Sequence, residues 1–542
     1  MQASKQASKQ ASKQAILLPL ITISYIAICY LAIDDFYAID RFIGSRHGWG
    51  EYFRKAVLTG EYAIAILIIY VSTCAKKQYG AVLIIALWLL TTIDLAAHTI
   101  YGRPADLGNI AVLNAAVGNI GDALRQYPSQ ILSSIAKSGL LFIPLLIKNQ
   151  FSRPAEKSLR ILFASLSVMT IVYGAMLVRQ GVSPITVFPK GFSYALGSLF
   201  NKLNAMTTEQ NRVETTRFAQ TDYSDIGSIV VIVDESIEYD EFSSLLKNHR
   251  HEFVDFGQAF SGANCSASSN YLIRKGYWVA SGGNHLDVNE TDSLFSIAKR
   301  NGFVTTYIDN QNVLNDRSVQ NYIDYIELKV IDKIVRNTEK SYARDASSVH
   351  QIKDIIKSAK KSFIFVNKYG SHFPYESSIP PALISVENLK NYRTSVERNS
   401  VDFLINLAEQ LPENTIIFYT SDHGQNFYSK STHCNTGDEI SPKEYSVPFI
   451  VITNNNKAKV DLLESRERIF GQLSHLEFSE SIRFLMGEKI KDASSVFNHN
   501  HQVTRYCGLY GSIFTFFGTR PSCKLLREGA FNLETAAPRS SL

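Results

Sequence analysis

The sequence predicts an α/β domain with a mostly parallel central sheet, preceded by a five-helix N-terminal transmembrane bundle. Three observations carry that prediction. Long apolar segments are confined to the front of the chain, apolar runs of strand length alternate with amphipathic stretches through the remainder, and several of those runs end on acidic, hydroxyl or imidazole residues. At 542 residues and a mean hydropathy near zero, the chain is too long for one ordinary core, so its apolar residues are read by position.

Candidate spans lie at about 15–33, 58–74, 81–100, 131–147 and 159–178, each close to the ~17–25 residues that cross a bilayer as a helix. The first has the basic lead of a signal peptide, but no small-residue cleavage site follows it and four more spans do, which favours a retained anchor. Lys5, Lys9 and Lys13 precede the first span, Lys76 and Lys77 join the second to the third, and Lys148, Arg153, Lys157 and Arg160 join the fourth to the fifth. By the positive-inside rule these segments are cytoplasmic. The opposite loops carry Arg41, Arg46, Arg54, Lys55, Arg103 and Arg125, several of them accompanied by Asp34, Asp35, Asp40, Glu51, Asp106 and Asp122. An odd number of spans then places everything after Gln180 outside the cytoplasm. The net charge of +5 is partly topogenic and gives no case for nucleic-acid binding. Asp94 and His98, one turn apart in the third span, face either a headgroup path or the bundle interior.

Residues 1–14 hold three copies of Ala-Ser-Lys-Gln and read as a low-complexity cytoplasmic tail. Tandem GCAA units, read in triplets, spell the same four residues, so slippage in such a tract would switch translation on and off. Residues 181–225, with an amphipathic stretch at 188–203 followed by a polar one, read as a connector along the membrane surface. The domain that follows, 226–542, carries strand-like runs at 229–233, 304–308, 363–366, 416–419 and 449–452, with helix-like stretches such as 292–300 and 393–410 between them. That alternation predicts helices on both faces of the sheet and a site at the strands' C-terminal ends.

The chemistry-bearing residues fall there. Ser421-Asp422-His423-Gly424 ends one run, Asp234-Glu235-Ser236 ends another, Ser371-His372 follows a third, and Asn264-Cys265-Ser266-Ala267 and His433 complete the set. A lone Asp-His-Gly is more often a turn than a metal site; the combination changes the reading. Glu235, Asp422 and His423 offer two carboxylates and an imidazole, and the hydroxyl of Ser266 completes a four-coordinate, zinc-like set. A metal held there draws the proton from Ser266 and makes it a nucleophile near neutral pH, which points to a metallo-phosphotransferase or phosphohydrolase. His499 and His501 sit in a polar loop and read as solvent-exposed.

Cys29 and Cys74 lie within spans and read as small apolar fillers, while Cys265, Cys434, Cys507 and Cys523 form an even set suited to two disulfides in an oxidising compartment. Cys507 and Cys523 are expected to pair with each other. Cys265 and Cys434 neighbour Ser266 and His433, so a bridge between them would tie two active-site loops together; a free or buried pair is the alternative.

Taken together, these motifs with Tyr307-Ile308-Asp309-Asn310, Gly370-Ser371-His372 and Val447-Pro448 resemble the bacterial phosphoethanolamine transferases of the alkaline phosphatase and sulfatase superfamily. The resemblance implies an alkaline-phosphatase/sulfatase-like fold for the α/β domain and an inner-membrane, multi-pass protein with that domain in the periplasm. It implies a zinc held by Glu235, Asp422 and His423 with Ser266, His372 and His433 in contact with the phosphoryl group, and Asp309 near a second metal position. The implied donor is phosphatidylethanolamine, the implied acceptor lipopolysaccharide or lipooligosaccharide, at lipid A or a core sugar, and the expected state is a monomer. Family members usually have a Thr nucleophile, so Ser266 takes that role by its place in the loop. The loop also resembles the sulfatase pattern Cys-x-Pro-Ser-Arg, with Cys265 at the modified position, but Ala267 and Ser269 replace the Pro and Arg that the pattern requires, and Cys265 is kept as an alternative nucleophile. The competing readings are a phosphoglycerol transferase or phosphohydrolase of the same fold, and a non-catalytic membrane scaffold.

Overall fold

The structure, a computed structural model, describes residues 2–33, 49–101, 124, 127–151, 222–247, 249, 253–276, 292–311, 323, 325–427, 432–435, 440–488, 495–498, 506–510 and 523–526. They divide into a helical unit before residue 152 and an α/β unit from residue 222 onward.

The helical unit comprises α1 (Gln2–Ile33), α2 (Trp49–Cys74), α3 (Lys77–Tyr101) and α4 (Pro128–Phe151). Two stretches, Lys77–Ala96 and Pro128–Gln150, are long and apolar enough to cross a membrane, with mean hydropathies of 1.9 and 1.7, whereas the apolar parts of α1 and α2, Leu17–Ile33 and Tyr62–Cys74, are shorter. The expected fifth span at 159–178 and, up to residue 221, the connector at 181–225 lie outside the described residues. α1 runs through the Ala-Ser-Lys-Gln repeats, where the sequence reading places a tail without structure. Ala, Lys and Gln are strong helix formers, and no breaker separates the repeats from the apolar segment that follows them. The unit turns its polar groups inward: Trp88 Nε1–H donates to Ser138 Oγ at 3.0 Å, Thr92 and Ser138 share a 2.8 Å hydrogen bond, and the Asn149 amide donates to the carbonyls of Thr73 and Ala75. Val82, Leu132 and Leu140 face outward, each about two-thirds or more exposed at 67%, 68% and 72%. Such an inversion suits a hydrocarbon solvent.

The α/β unit is built on an eight-stranded sheet: β1 (Ser228–Asp234), β2 (Val254–Phe260), β3 (Val304–Asp309), β4 (Lys333–Arg336), β5 (Ser362–Asn367), β6 (Thr415–Ser421), β7 (Ser446–Thr453) and β8 (Leu473–Ser474), in the order β4-β3-β5-β1-β6-β7-β2-β8. All neighbours are parallel except β7, which is antiparallel to both β6 and β2. The five strands read from the sequence are β1, β3, β5, β6 and β7. β2 escaped because Asp255, Gly257 and Gln258 interrupt its apolar pattern; Gly257 has φ +83° and a register shift falls between Asp255 and Gln258. β4 and β8 are an edge strand of four residues and a strand of two.

Alternation along the buried strands builds two cores. Ile229, Val231 and Val233 of β1 pack with Phe256, Phe295, Phe363, Phe418 and Phe478 in one cluster. Val230 and Ile232 pack with Phe242, Ile352, Ile364, Tyr392 and Tyr419 in the other. The stretch 393–410 is occupied by helices Asn388–Val396 and Asp402–Ala408, joined by a π-helical turn at Glu397–Val401. A separate ribbon of β9 (Tyr506–Leu509) and β10 (Cys523–Leu526) pairs Cys523 with Leu509 and Cys507 with Leu525. The side chains of both cysteines, and with them the expected bridge, lie outside those described, as do His499 and His501.

Candidate metal and nucleophile site

Strand register places the site. β1 and β6 run parallel with Asp234 opposite Ser421, so Glu235 and Asp422 leave the sheet side by side. The Asp422 N–H donates to the Asp234 carbonyl at 2.9 Å, which locks that register one residue past the strands. Beside them, β5 ends at Asn367 opposite Val233 and Asp309, which brings the ends of β3, β5, β1 and β6 to one edge. Because β7 runs the other way and β2 pairs Phe260 with Ser446, the loop after β2 returns to that same edge with Ser266 at the first turn of helix Ser266–Lys275.

Glu235, Asp422 and His423 converge there, all buried, with their ligand-type atoms within 4.8 Å of one another. His423 Nε2 lies 3.5 Å from Glu235 Oε1 and 3.6 Å from Asp422 Oδ2. Ser266 Oγ is 3.2 Å from Glu235 Oε1 and 3.1 Å from His423 Nε2. His423 Nδ1–H donates to the Gly424 carbonyl at 2.8 Å, which fixes the ring so that Nε2 faces the carboxylates. Asp422 Oδ1 accepts from the backbone N–H groups of Ser236 at 2.9 Å and His423 at 2.7 Å, while Asp422 Oδ2, equally buried, has no hydrogen-bond partner. An orphaned buried carboxylate oxygen beside a second carboxylate, an imidazole nitrogen and a hydroxyl is the donor set of a small, hard-to-borderline dication, and zinc fits it.

The protons tell the same story. Burial and then the charge of Glu235 push the Asp422 carboxyl up to about 8. For His423, burial works downward but Asp422 and Glu235 outweigh it and raise the ring to about 9. Glu235 is held well below the usual carboxylate range, because the neighbouring His423 and His372 overcome its burial. Without a metal, protons on Asp422 and His423 offset the crowded negative charge.

Two glycines permit this packing. A Cβ on Gly424 would lie 2.0 Å from the Lys443 carbonyl oxygen, and one on Gly370, which has φ +56°, would lie 2.3 Å from Asp234 Oδ1. Gly370 leads to Ser371, whose N–H donates to the Glu235 carbonyl at 3.0 Å, so His372 is delivered beside the cluster. His433 stacks on His423 with ring centroids 4.3 Å apart, and burial together with the charge of His423 holds it well below its ordinary value, hence neutral. Cys265 and Cys434 form a disulfide with Cα atoms 4.9 Å apart, the tied-loop alternative of the sequence reading. A bridged Cys265 has no thiol to offer as a nucleophile.

Asp309 stands apart from the three converging ligands. Its Oδ1 accepts from the Gln311 N–H and the Asn367 amide, both at 3.1 Å. That hydrogen bond aims Gln311, whose amide donates to Glu235 Oε2 at 2.7 Å. Gln311 had no motif to mark it, and neither had His475. His475 Nε2–H donates to the Ser421 carbonyl at 2.9 Å, its Nδ1 lies 3.0 Å from the Ser269 hydroxyl, and burial holds the ring neutral, down to about 3. It thereby braces the β6 end against the helix that starts at Ser266. Its one sequence signal is the capping box Ser474-His475-Leu476-Glu477.

Residues 229–487 match the Sulfatase family, so this part of the chain is a sulfatase-like domain. Among solved structures, the fold is similar to that of an integral membrane protein. The integral membrane protein lipooligosaccharide phosphoethanolamine transferase A from Neisseria meningitidis is 13% identical, with 88% of this chain and 97% of that one covered at a TM-score of 0.52. The C-terminal periplasmic domain of EptC from Escherichia coli, in complex with Zn, is 16% identical and covers 55% of this chain and 93% of its own at a TM-score of 0.45. The lipoteichoic acid synthase LtaP from Listeria monocytogenes is 14% identical, covering 57% and 83% at a TM-score of 0.38. No curated protein matches.

Proposed function

We propose that this protein is a membrane-anchored, zinc-dependent phosphoethanolamine transferase that moves phosphoethanolamine from phosphatidylethanolamine to lipopolysaccharide or lipooligosaccharide, through a covalent intermediate on Ser266. One observation carries the reading: the Ser266 hydroxyl, at the first turn of a helix, lies within hydrogen-bond distance of both Glu235 and His423, beside Asp422 Oδ2, which has no hydrogen-bond partner. Glu235, Asp422 and His423 would hold the metal. When bound, it supplies positive charge that favours the serine alkoxide and offsets charge developing at phosphorus.

The chain's own residues do the rest. Gly424 and Gln311 fix His423 and Glu235 so that neither can rotate away from Ser266. Ser266 Oγ bonds to phosphorus as the bond from phosphorus to the glycerol oxygen breaks, and the serine proton ends on the departing diacylglycerol hydroxyl. The neutral His433 ring beside His423 is placed to carry that proton, with His372 on the phosphoryl oxygens. A hydroxyl or monoprotonated phosphate of the acceptor glycan then attacks phosphorus, the Ser266–phosphorus bond breaks, and the acceptor's proton returns to Ser266 Oγ. We place the α/β unit in the periplasm behind five spans, as a monomer. The orientation rests on the distribution of Lys and Arg, and the similarity to an integral membrane transferase supports the membrane anchoring.

The test is mass spectrometry of surface glycolipid from cells with and without the gene, together with peptide mapping of the protein after incubation with phosphatidylethanolamine. Phosphoethanolamine should appear on the glycolipid only when the gene is present, and on the Ser266 peptide of the wild type but not of Ser266→Ala. An unchanged glycolipid, a glycerophosphate adduct, or full turnover by Ser266→Ala would overturn the reading.

A further inference from the structure

We infer that Glu444 is a positioning residue of this site, holding the loop that carries Ser266 against the loop that carries His433. The inference rests on the transferase reading only for its activity arm. Locally, Glu444 looks explained: it closes a capping box with Ser441 at the 3-10 turn Pro442–Glu444. The carboxylate does more than cap. Oε1 accepts from the Ser441 N–H and the Asn435 side chain, both at 2.9 Å, and Oε2 accepts from the Asn264 side chain at 2.8 Å and the Asn435 N–H at 3.1 Å. Its backbone carbonyl accepts from the Gly424 N–H at 2.9 Å.

Those partners are placed with purpose. Asn264 is two residues before Ser266, Asn435 is two after His433, and Gly424 directly follows His423. One buried residue therefore sets the spacing between the nucleophile, the stacked histidine and the metal-facing histidine. The two loops also meet directly: the Cys434 N–H donates to the Asn264 carbonyl and the Asn264 amide to the Asn435 carbonyl, each at 2.9 Å, and the Cys265–Cys434 disulfide spans the same gap. All four side-chain contacts of Glu444 come from N–H donors, so the position demands a group that only accepts. A glutamine keeps the shape but turns one oxygen into a donor and sets it against two other donors.

The experiment uses the full chain in detergent, with Glu444→Gln and the milder Asn264→Ala, which removes one of the four contacts together with the bond from Asn264 to the Asn435 carbonyl. Three quantities are read: zinc content with thermal melting, the rate at which dithiothreitol reduces the Cys265–Cys434 bridge, and kcat and KM for transfer. Glu444→Gln should keep its zinc and its fold, lose its bridge at least about tenfold faster, and show kcat lowered roughly 10- to 100-fold with KM unchanged, the scale of a misplacement of about 1 Å. Asn264→Ala should move both rates in the same direction by less, and it decides the matter if Glu444→Gln does not fold. Unchanged reduction and kcat in a folded, zinc-loaded variant would overturn the inference, and so would a fall in kcat that only tracks lost zinc or lost folded protein. If the wild type shows no transfer at all, the proposed function has failed, and the reduction rates still decide the role of Glu444.

Discussion

Asp234 and Glu235 are consecutive, equally buried and attached to the end of the same strand, yet they keep opposite company. Asp234 Oδ2 accepts from Lys368 Nζ at 2.5 Å and from the hydroxyls of Ser400 and Tyr419, both at 2.8 Å, while its Oδ1 takes the Glu235 N–H at 2.9 Å. Lys368 also donates to the Asn399 carbonyl in the π-helical turn and lies 4.2 Å from the centre of the Phe403 ring. Burial pushes the Asp234 carboxyl up from its ordinary value and Lys368 draws it back. Glu235 has a second carboxylate, Asp422, for a neighbour, and a histidine that the two must share. The first neighbourhood holds a lysine, which also lies 3.9 Å from the buried Asp345; the second holds only an imidazole, a cation while it is protonated. Burial and the number of carboxylates are the same in both, so the kind of base, a lysine that stays charged or an imidazole that can exchange its proton for a metal, separates a structural cluster from a candidate metal site.

The largest expected effect comes from breaking the lysine side. Lys368→Met leaves Asp234 buried without its cation and should cost about 3–5 kcal/mol, read by chemical denaturation. Pairing it with Asp234→Asn should recover much of that loss. A stable Lys368→Met variant would mean that Asp234 does not depend on Lys368, and the contrast would collapse.

On the imidazole side a substitution should have a different outcome. Asp422→Asn replaces a carboxyl that is already protonated below about pH 8 in the metal-free fold with a neutral amide and keeps the Oδ1 contacts, so the metal-free variant should be at least as stable as the metal-free wild type. What it should lose is the response to zinc. A hundredfold excess over the dissociation constant stabilises a binding protein by about 2.7 kcal/mol, and that shift should be present in the wild type and absent in Asp422→Asn. Equal zinc shifts in both proteins would remove Asp422 from the ligand set.

The pH dependence divides the wild type in the same way. Asp422 and His423 are raised to about 8 and about 9 in the metal-free fold. Groups raised on folding bind more protons folded than unfolded, so the stability they contribute is lost as pH rises through their folded values. Chelated protein should therefore weaken between about pH 6.5 and pH 9, as His423 passes from its unfolded to its folded value. Zinc competes with the same protons, so the zinc-dependent part of the stability should grow over that interval. Thermal melting of both forms across pH checks the sign; parallel curves would show that the metal does not replace these protons.

Much of this site was legible because its parts lie next to apolar strands. Asp234-Glu235 and Ser421-Asp422-His423 each follow a buried run, and parallel register carries such ends to one edge. Strand ends do not reveal contacts: Asp309 ends a strand as Glu235 does, and its Oδ1 accepts from the Gln311 N–H and the Asn367 amide. Glu444 and His475 were invisible for a related reason: the groups they hold lie 180 and 54 residues away, and each sits in a capping box that explains it locally. β2 was lost to its own bulge, since a glycine at φ +83° between Asp255 and Gln258 breaks the apolar alternation that marks a strand. In the helical unit apolar length located the described helices, but α1 and α2 also include polar turns that hydropathy assigned to a tail or a loop.

The smallest expected effect calibrates the contrast. Arg393 donates to both oxygens of Glu241, at 2.7 and 3.0 Å. The Arg393 side chain is 55% exposed, so water solvates the guanidinium almost as well without its partner. Exposed pairs are worth about 0.2–1 kcal/mol and fade with salt. Arg393→Ala should therefore cost less than about 1 kcal/mol in low salt, and less again at high ionic strength. Lys368→Met should be insensitive to salt, because solvent ions do not reach its partner. If Arg393→Ala costs as much as Lys368→Met, pairing rather than burial sets the penalty. A buried carboxylate cluster would then have no energetic reason to attract a cation.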